Sequence, residues 1–140
     1  MITGTCAICE REITKDGEKH HLKPKELYSD KNNPTVTLHP VCHRVIHLLF
    51  TNEELLSTYN TIGSLKQTKL IQEYLKWISV KSIRFLQNKR GIGKKSLPDS
   101  LRPHIFYRII TGIYKKTLHT LRKFKKKIKK RLIRFIREKV

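Results

Sequence analysis

The chain has 140 residues, a formal charge of +20 at pH 7, three cysteines and seven histidines. That length holds one ordinary domain and an appendage rather than two full domains, and no stretch approaches the roughly 18 uninterrupted apolar residues of a membrane span. An odd cysteine count argues against a disulfide framework and for thiolate metal ligation in a reducing compartment. The first residues, Met1-Ile2-Thr3-Gly4-Thr5, carry no apolar h-region, so no signal peptide is expected and the expected location is the cytoplasm.

Charge divides the chain unevenly. Residues 1–81 hold 11 Lys+Arg against 9 Asp+Glu, a net of +2, whereas residues 82–140 hold 20 Lys+Arg against Asp99 and Glu138 alone, a net of +18. A near-neutral module is thus followed by a cationic extension. The asymmetry implies a polyanionic partner, either nucleic acid or an anionic membrane surface.

In chain order, Asp16-Gly17 reads as a turn and residues 30–34 as a polar loop. Residues 19–22 between them fit a short strand, and the β-branched alternation of Thr35-Val36-Thr37-Leu38 fits a second. From Pro40 the spacing changes. Val41, Val45, Leu48 and Leu49 recur at helical intervals, with proline at a tolerated first-turn position. Thr51-Asn52-Glu53-Glu54 is a capping box opening a short helix that carries Leu55, Leu56 and Tyr59. A second amphipathic run uses Leu70, Ile71, Tyr74, Leu75 and Ile78, with Trp77 beside it. These apolar residues read as core, supplying area that a small metal-bound module lacks.

Gly91, Gly93, Ser96, Pro98 and Pro103 mark a break over residues 87–103. Beyond it Phe106, Ile110, Ile113, Leu121, Phe124, Ile128, Leu132 and Phe135 follow three or four residues apart, Thr117 filling one gap. Lys and Arg take most other positions, which predicts one face of a long helix.

The chemistry sits in three clusters. Cys6-x-x-Cys9, His20-His21 and His39 to His47 place eight ligand-type side chains within 42 positions. Tetrahedral zinc takes four N or S ligands, commonly from two short loops. Cys6 and Cys9 form one such loop, and His39 with Cys42 forms the other, although His47 in place of His39 satisfies the same count. His43 and His47 stand four apart on the predicted helix, so both project from one face and suit a divalent ion. His20 and His21 are strand neighbours and point to opposite sides. One can join the metal while the other faces a substrate.

Cys6-x-x-Cys9, His20-His21-Leu22-Lys23-Pro24 and Leu38-His39-Pro40-Val41-Cys42-His43-x3-His47 together resemble the HNH family of endonucleases, whose core is the ββα-metal finger. The pattern is closest to small bacterial proteins of the CxxC / HHLxP / LHPxCHxxIH type, and a bacterial or phage-like cytoplasmic setting follows. The resemblance covers residues 5 to 77 and leaves out the cationic segment. It implies His21 as general base and His20, His43 and His47 as ligands of one catalytic divalent ion, Mg²⁺ or Mn²⁺, with other divalent ions admitted. Cys6, Cys9, His39 and Cys42 then hold a structural zinc. The chain departs from the family at the asparagine nine residues before the helix histidine, which here is Pro34; Asn32 and Asn33 are out of register.

The implied fold is α+β: a small zinc-stabilised ββα-metal finger, short helices, then a long basic amphipathic C-terminal helix. Residues 1–81 make the nuclease domain, 82–103 a basic linker and 104–140 the cationic helix. The implied function is a metal-dependent DNA endonuclease or nickase, RNA not being excluded as a substrate. Nucleic-acid contacts are expected from Arg44, Lys94, Lys95, Lys123, Lys125, Lys126, Lys127, Lys129, Lys130 and Arg131. The apolar face of the helix needs a further partner, whether the module, a second copy or an anionic membrane. Two rival readings stand beside this one: a noncatalytic zinc-bound nucleic-acid binder, and a membrane-surface-active basic protein.

Overall fold

The computed structural model describes residues 2–89, 92 and 96–137, with side chains as far as 127 apart from 115 and 124. It is a mixed α/β protein with two small sheets and several helices. Two compact units follow one another, Met1–Ile105 and Phe106–Val140.

The first unit opens with β1 (Gly4–Thr5) and β2 (Glu12–Ile13), an antiparallel pair of two residues each. The tight loop between them is closed by Glu10 N–H to the Cys6 carbonyl at 2.9 Å and Cys6 N–H to the Arg11 carbonyl at 3.0 Å. Glu10 takes a φ of 59°, a left-handed conformation that turns the chain back after Cys9. Strands this short have no alternation to read, so sequence periodicity gives no sign of them.

β3 (Glu18–His21) and β4 (Thr35–Leu38) form the second antiparallel pair, in the register Glu18 to Leu38 and His21 to Thr35. Asn33 clamps the loop joining them: its side-chain amide donates to the Lys23 carbonyl at 2.6 Å and its Oδ1 accepts from Lys23 N–H at 3.4 Å. Ala7 N–H donates to the Thr37 carbonyl at 3.0 Å, tying the first loop to β4. Helix α1 (Pro40–Leu49) follows at once, buried along Pro40, Val41, Cys42, Val45, Ile46 and Leu49. His39 is its N-cap residue but makes no side-chain cap, because its ring is turned to the cysteines instead.

Four helices complete the packing of this unit. α2 (Asn52–Ser57) begins with the expected Thr51–Glu54 capping box. α3 (Ile62–Gln67) opens on a second box, Thr61 with Ser64, which a Gly-Ser dipeptide hides from a search for acidic N3 residues. α4 (Lys69–Ser79) buries Ile71, Tyr74 and Ile78, the apolar run anticipated above. α5 (Ile83–Leu86) sends Leu86 into the core. Arg11 closes the C-terminus of α4, donating to the carbonyls of Lys81 at 2.7 Å and Ile78 at 3.4 Å, where a cation also meets the negative end of the helix dipole.

The compact unit does not stop at residue 81. Leu86, Ile92, Leu97, Leu101 and Ile105 are all buried, so the stretch set down as a linker contributes apolar side chains to the core. Each such side chain is worth roughly 1.5–3 kcal/mol of burial. The Gly, Pro and lysine residues there mimic a linker, while Leu86, Ile92, Leu97 and Leu101 pack into the core. Helix α6 runs Arg102–Arg137, and its first turn belongs to this unit; His104 donates to the Leu49 carbonyl at 3.1 Å and so caps α1.

The second unit is the remainder of α6. Phe106, Tyr107, Ile110, Ile113, Tyr114 and Leu121 are exposed along it.

Candidate functional site

The x-x loop between β1 and β2 and the junction of β4 with α1 bring Cys6, Cys9, His39 and Cys42 together, their ligand atoms all within 4.8 Å of one another. Cys6, His39 and Cys42 are buried and none of the three cysteines is in a disulfide. His39 Nδ1 lies 3.3 Å from Cys9 Sγ, while Nε2–H donates to the Glu12 carbonyl at 3.1 Å. That second bond fixes the tautomer with Nδ1 toward the sulfurs, the usual support of a ligating histidine. His39 rather than His47 therefore completes the set.

Electrostatics of the four groups call for a cation. Hydrogen bonds from Cys42 and then Cys9 hold the Cys6 thiol far below its ordinary pKa, and the same contacts with Cys6 and Cys9 push Cys42 far above it. Three thiols this close cannot all ionise against one another. Burial alone would lower His39, but hydrogen bonds to Cys6 and Cys9 and their negative charge raise it to about 9. A bound divalent ion resolves the conflict by accepting three thiolates and a neutral imidazole. Backbone His39 N–H and the Tyr74 hydroxyl point at Cys6 Sγ and Cys42 Sγ, at 3.5 and 3.3 Å, as sulfur-stabilising donors. Three sulfurs and one nitrogen are a donor set that suits zinc.

The second cluster lies between β3 and α1. His20, His43 and His47 offer nitrogens within 4.8 Å of one another, and their rings stand edge to edge with centroids 5.1, 5.2 and 5.0 Å apart. His20 is 2% exposed and its Nε2 is buried with no hydrogen-bond partner. An orphaned buried nitrogen costs roughly 1–3 kcal/mol, and it faces two more imidazoles. Burial, then the neighbouring His47, His43 and His21, lowers the His20 pKa to about 3, so its lone pair stays free of a proton at neutral pH. His43 Nδ1–H donates to Glu18 Oε2 at 2.6 Å, leaving Nε2 for the cluster. A carboxylate behind a ring nitrogen is the support that metal-ligating histidines have.

His21, next along β3, points the other way and is partly exposed. Its pKa is lowered, by burial first and then by Lys25, His43 and Lys19. Neutral imidazole is therefore its resting form.

Arg44 is exposed on α1 beside His43, and Lys123, Lys125, Lys126 and Lys127 are exposed on α6. Lys129, Lys130 and Arg131 lie on the same helix without described side chains, and Lys94 and Lys95 lie outside the described residues. Glu18 and Tyr74 were not anticipated. Glu18 was findable, since it stands two residues before His20 on one strand and shares its face. Tyr74 gave no signal, being 32 residues from Cys42 in an ordinary apolar stripe.

These features define a small mixed α/β protein with a Cys₃His cluster fit to hold a metal such as zinc. The chain belongs to the family of the uncharacterized protein YisB of Bacillus subtilis (strain 168), to which it is 38% identical over 78 residues. Those residues make up 56% of this chain and 76% of YisB. No protein-family model and no solved structure matches the chain.

Proposed function

We propose that the chain is a metal-dependent endonuclease of HNH type, with β3, β4 and α1 as a ββα-metal finger and a structural zinc at Cys6, Cys9, His39 and Cys42. The observation that carries this reading is the second cluster: three imidazoles converge on one point, one of them buried with an unpartnered nitrogen, and a fourth histidine stands beside them with an accessible ring. Structural zinc accounts for none of these four.

His20, His43 and His47 would hold a divalent ion, Mg²⁺ or Mn²⁺ among those admitted. Bound there, such an ion supplies Lewis-acid stabilisation to charge growing on a phosphate oxygen and the leaving 3′ oxygen. The protein side of the reaction falls to His21. Its neutral ring takes a proton from water, the water oxygen bonds to phosphorus, and the 3′ oxygen departs. Lys19 and Lys25, the cations that act on the His21 ring, also favour approach of a phosphodiester. Asn33 fixes the loop that leaves His21, a support from the residue next to Pro34. Arg44, with the lysines and arginines of α6, would neutralise DNA phosphates without reading bases.

Cleavage of supercoiled plasmid with Mg²⁺ or Mn²⁺ tests the reading. The wild-type chain should nick or linearise plasmid, and His21→Ala should lower the rate by about 10²–10⁴-fold with DNA binding retained. Equal cutting by both proteins contradicts the assignment. A second reading, a noncatalytic zinc-bound nucleic-acid binder, is favoured by Pro34 at the position of the family asparagine. Tight, salt-sensitive binding with no cutting by the wild type would select it.

A further inference from the structure

The exposed apolar side chains of α6 have no place in the nuclease reading. Phe106, Ile110, Ile113 and Leu121 are 66, 49, 60 and 62% exposed. At 3.6 residues per turn they fall with Thr117 inside an arc of about 80°, and the register carries positions 124, 128, 132 and 135 along the same line. Tyr107 and Tyr114, 68 and 63% exposed, flank the first part. Residues 102–137 contain 14 Lys+Arg and no Asp or Glu; four of them, Arg102, Arg108, Lys115 and Lys116, accompany the exposed apolar residues, and the other ten follow at 122–137. Among the described residues no helix is long and apolar enough to cross a membrane.

Whatever covers this helix has to satisfy an apolar line and, further along the same line, a dense cationic stretch. A second copy of the helix offers an apolar seam but only like charge beside it, and the acidic flanking residues that stabilise a coiled coil are absent. Duplex nucleic acid takes the cations and leaves the line in water. An anionic bilayer surface meets both conditions, with acyl chains beneath the line, headgroup phosphates around the lysines, and tyrosines at the depth where half-polar rings settle. We propose that α6 lies flat on anionic lipid, seating Phe106, Ile110, Ile113 and Leu121 in the headgroup–acyl boundary. This inference does not depend on the nuclease reading.

Vesicle flotation of the full-length chain tests it, using phosphatidylglycerol-containing vesicles and pure phosphatidylcholine vesicles at one salt concentration. The informative variant is Ile110→Gln/Ile113→Gln/Leu121→Gln, which keeps charge and helix propensity and alters only exposed side chains. The wild type should float with anionic vesicles and not with neutral ones. The variant should partition more than about tenfold less well, while binding duplex DNA as the wild type does. Undiminished flotation of the variant would overturn the proposal, since charge alone would then suffice. So would a wild type that ignores anionic vesicles, or a variant that loses duplex DNA in parallel. Concentration-dependent self-association without lipid, abolished in the variant, would assign the face to a second copy and overturn it equally.

Discussion

Glu18 shows how one residue sets the chemistry of its neighbours. It reaches His43 Nδ1 from the strand that also carries His20, and so decides which nitrogen of His43 faces the cluster. Removing it leaves the ring free to rotate and to change tautomer. Glu18→Ala should therefore weaken divalent-ion binding at the histidine cluster by about 10–100-fold, while the four sulfur-site ligands stay as they are. Metal titration of the two proteins checks this; unchanged affinity would mean that Glu18 pairs with His43 without orienting it. The clustering of Cys6, Cys9, His39 and Cys42 and of His43 with His47 was legible in the sequence because short-range spacing limits what x-x loops and an i, i+4 pair can do. Their supporting partners were largely illegible. The Glu12 carbonyl and the Tyr74 hydroxyl come from parts of the chain 27 and 32 residues away from the ligands they touch. Only the fold brings them near.

Elements with a strong local cause were readable, and those held by packing were not. Strand β3 was readable from the turn and polar loop that bracket it, β4 from its alternation, α1 from proline and helical spacing, and α2 from a reciprocal capping box. The two-residue strands β1 and β2 exist because the Cys6–Cys9 loop needs a closed base, a demand that leaves no periodic trace. Residues 82–103 misled for a related reason: Arg84, Lys89, Asp99 and Arg102 lie at the surface, whereas Leu86, Ile92, Leu97 and Leu101 are buried. The α2 cap makes a direct prediction at this scale. Thr51 accepts from Glu54 N–H at 3.1 Å and Glu54 Oε2 accepts from Thr51 N–H at 2.7 Å. Thr51→Ala removes the hydroxyl that accepts from Glu54 N–H, leaves the backbone N–H that donates to Glu54, and should lower stability by about 1 kcal/mol. Thermal unfolding at fixed metal content measures it, and an unshifted midpoint would show that Phe50 packing on Tyr59 holds the helix start unaided.

At the scale of the molecule, a unit with little sheet and short helices gathers seven metal-competent side chains into two groups. The sulfur-rich group joins the β1–β2 loop to the β4–α1 junction, beside the Ala7 N–H to Thr37 carbonyl hydrogen bond. The imidazole group spans β3 and α1 and is open enough at His43 and His47 for a ligand to approach. We propose that one group serves the fold and the other the chemistry. Equilibrium dialysis of the purified full chain against zinc, with bound metal counted per chain, tests it most directly. The wild type should bind two ions and His43→Ala one, with the circular dichroism of the variant remaining that of the folded protein because Cys6, Cys9, His39 and Cys42 are untouched. A single ion in the wild type, or loss of both ions in a folded His43→Ala, would contradict it.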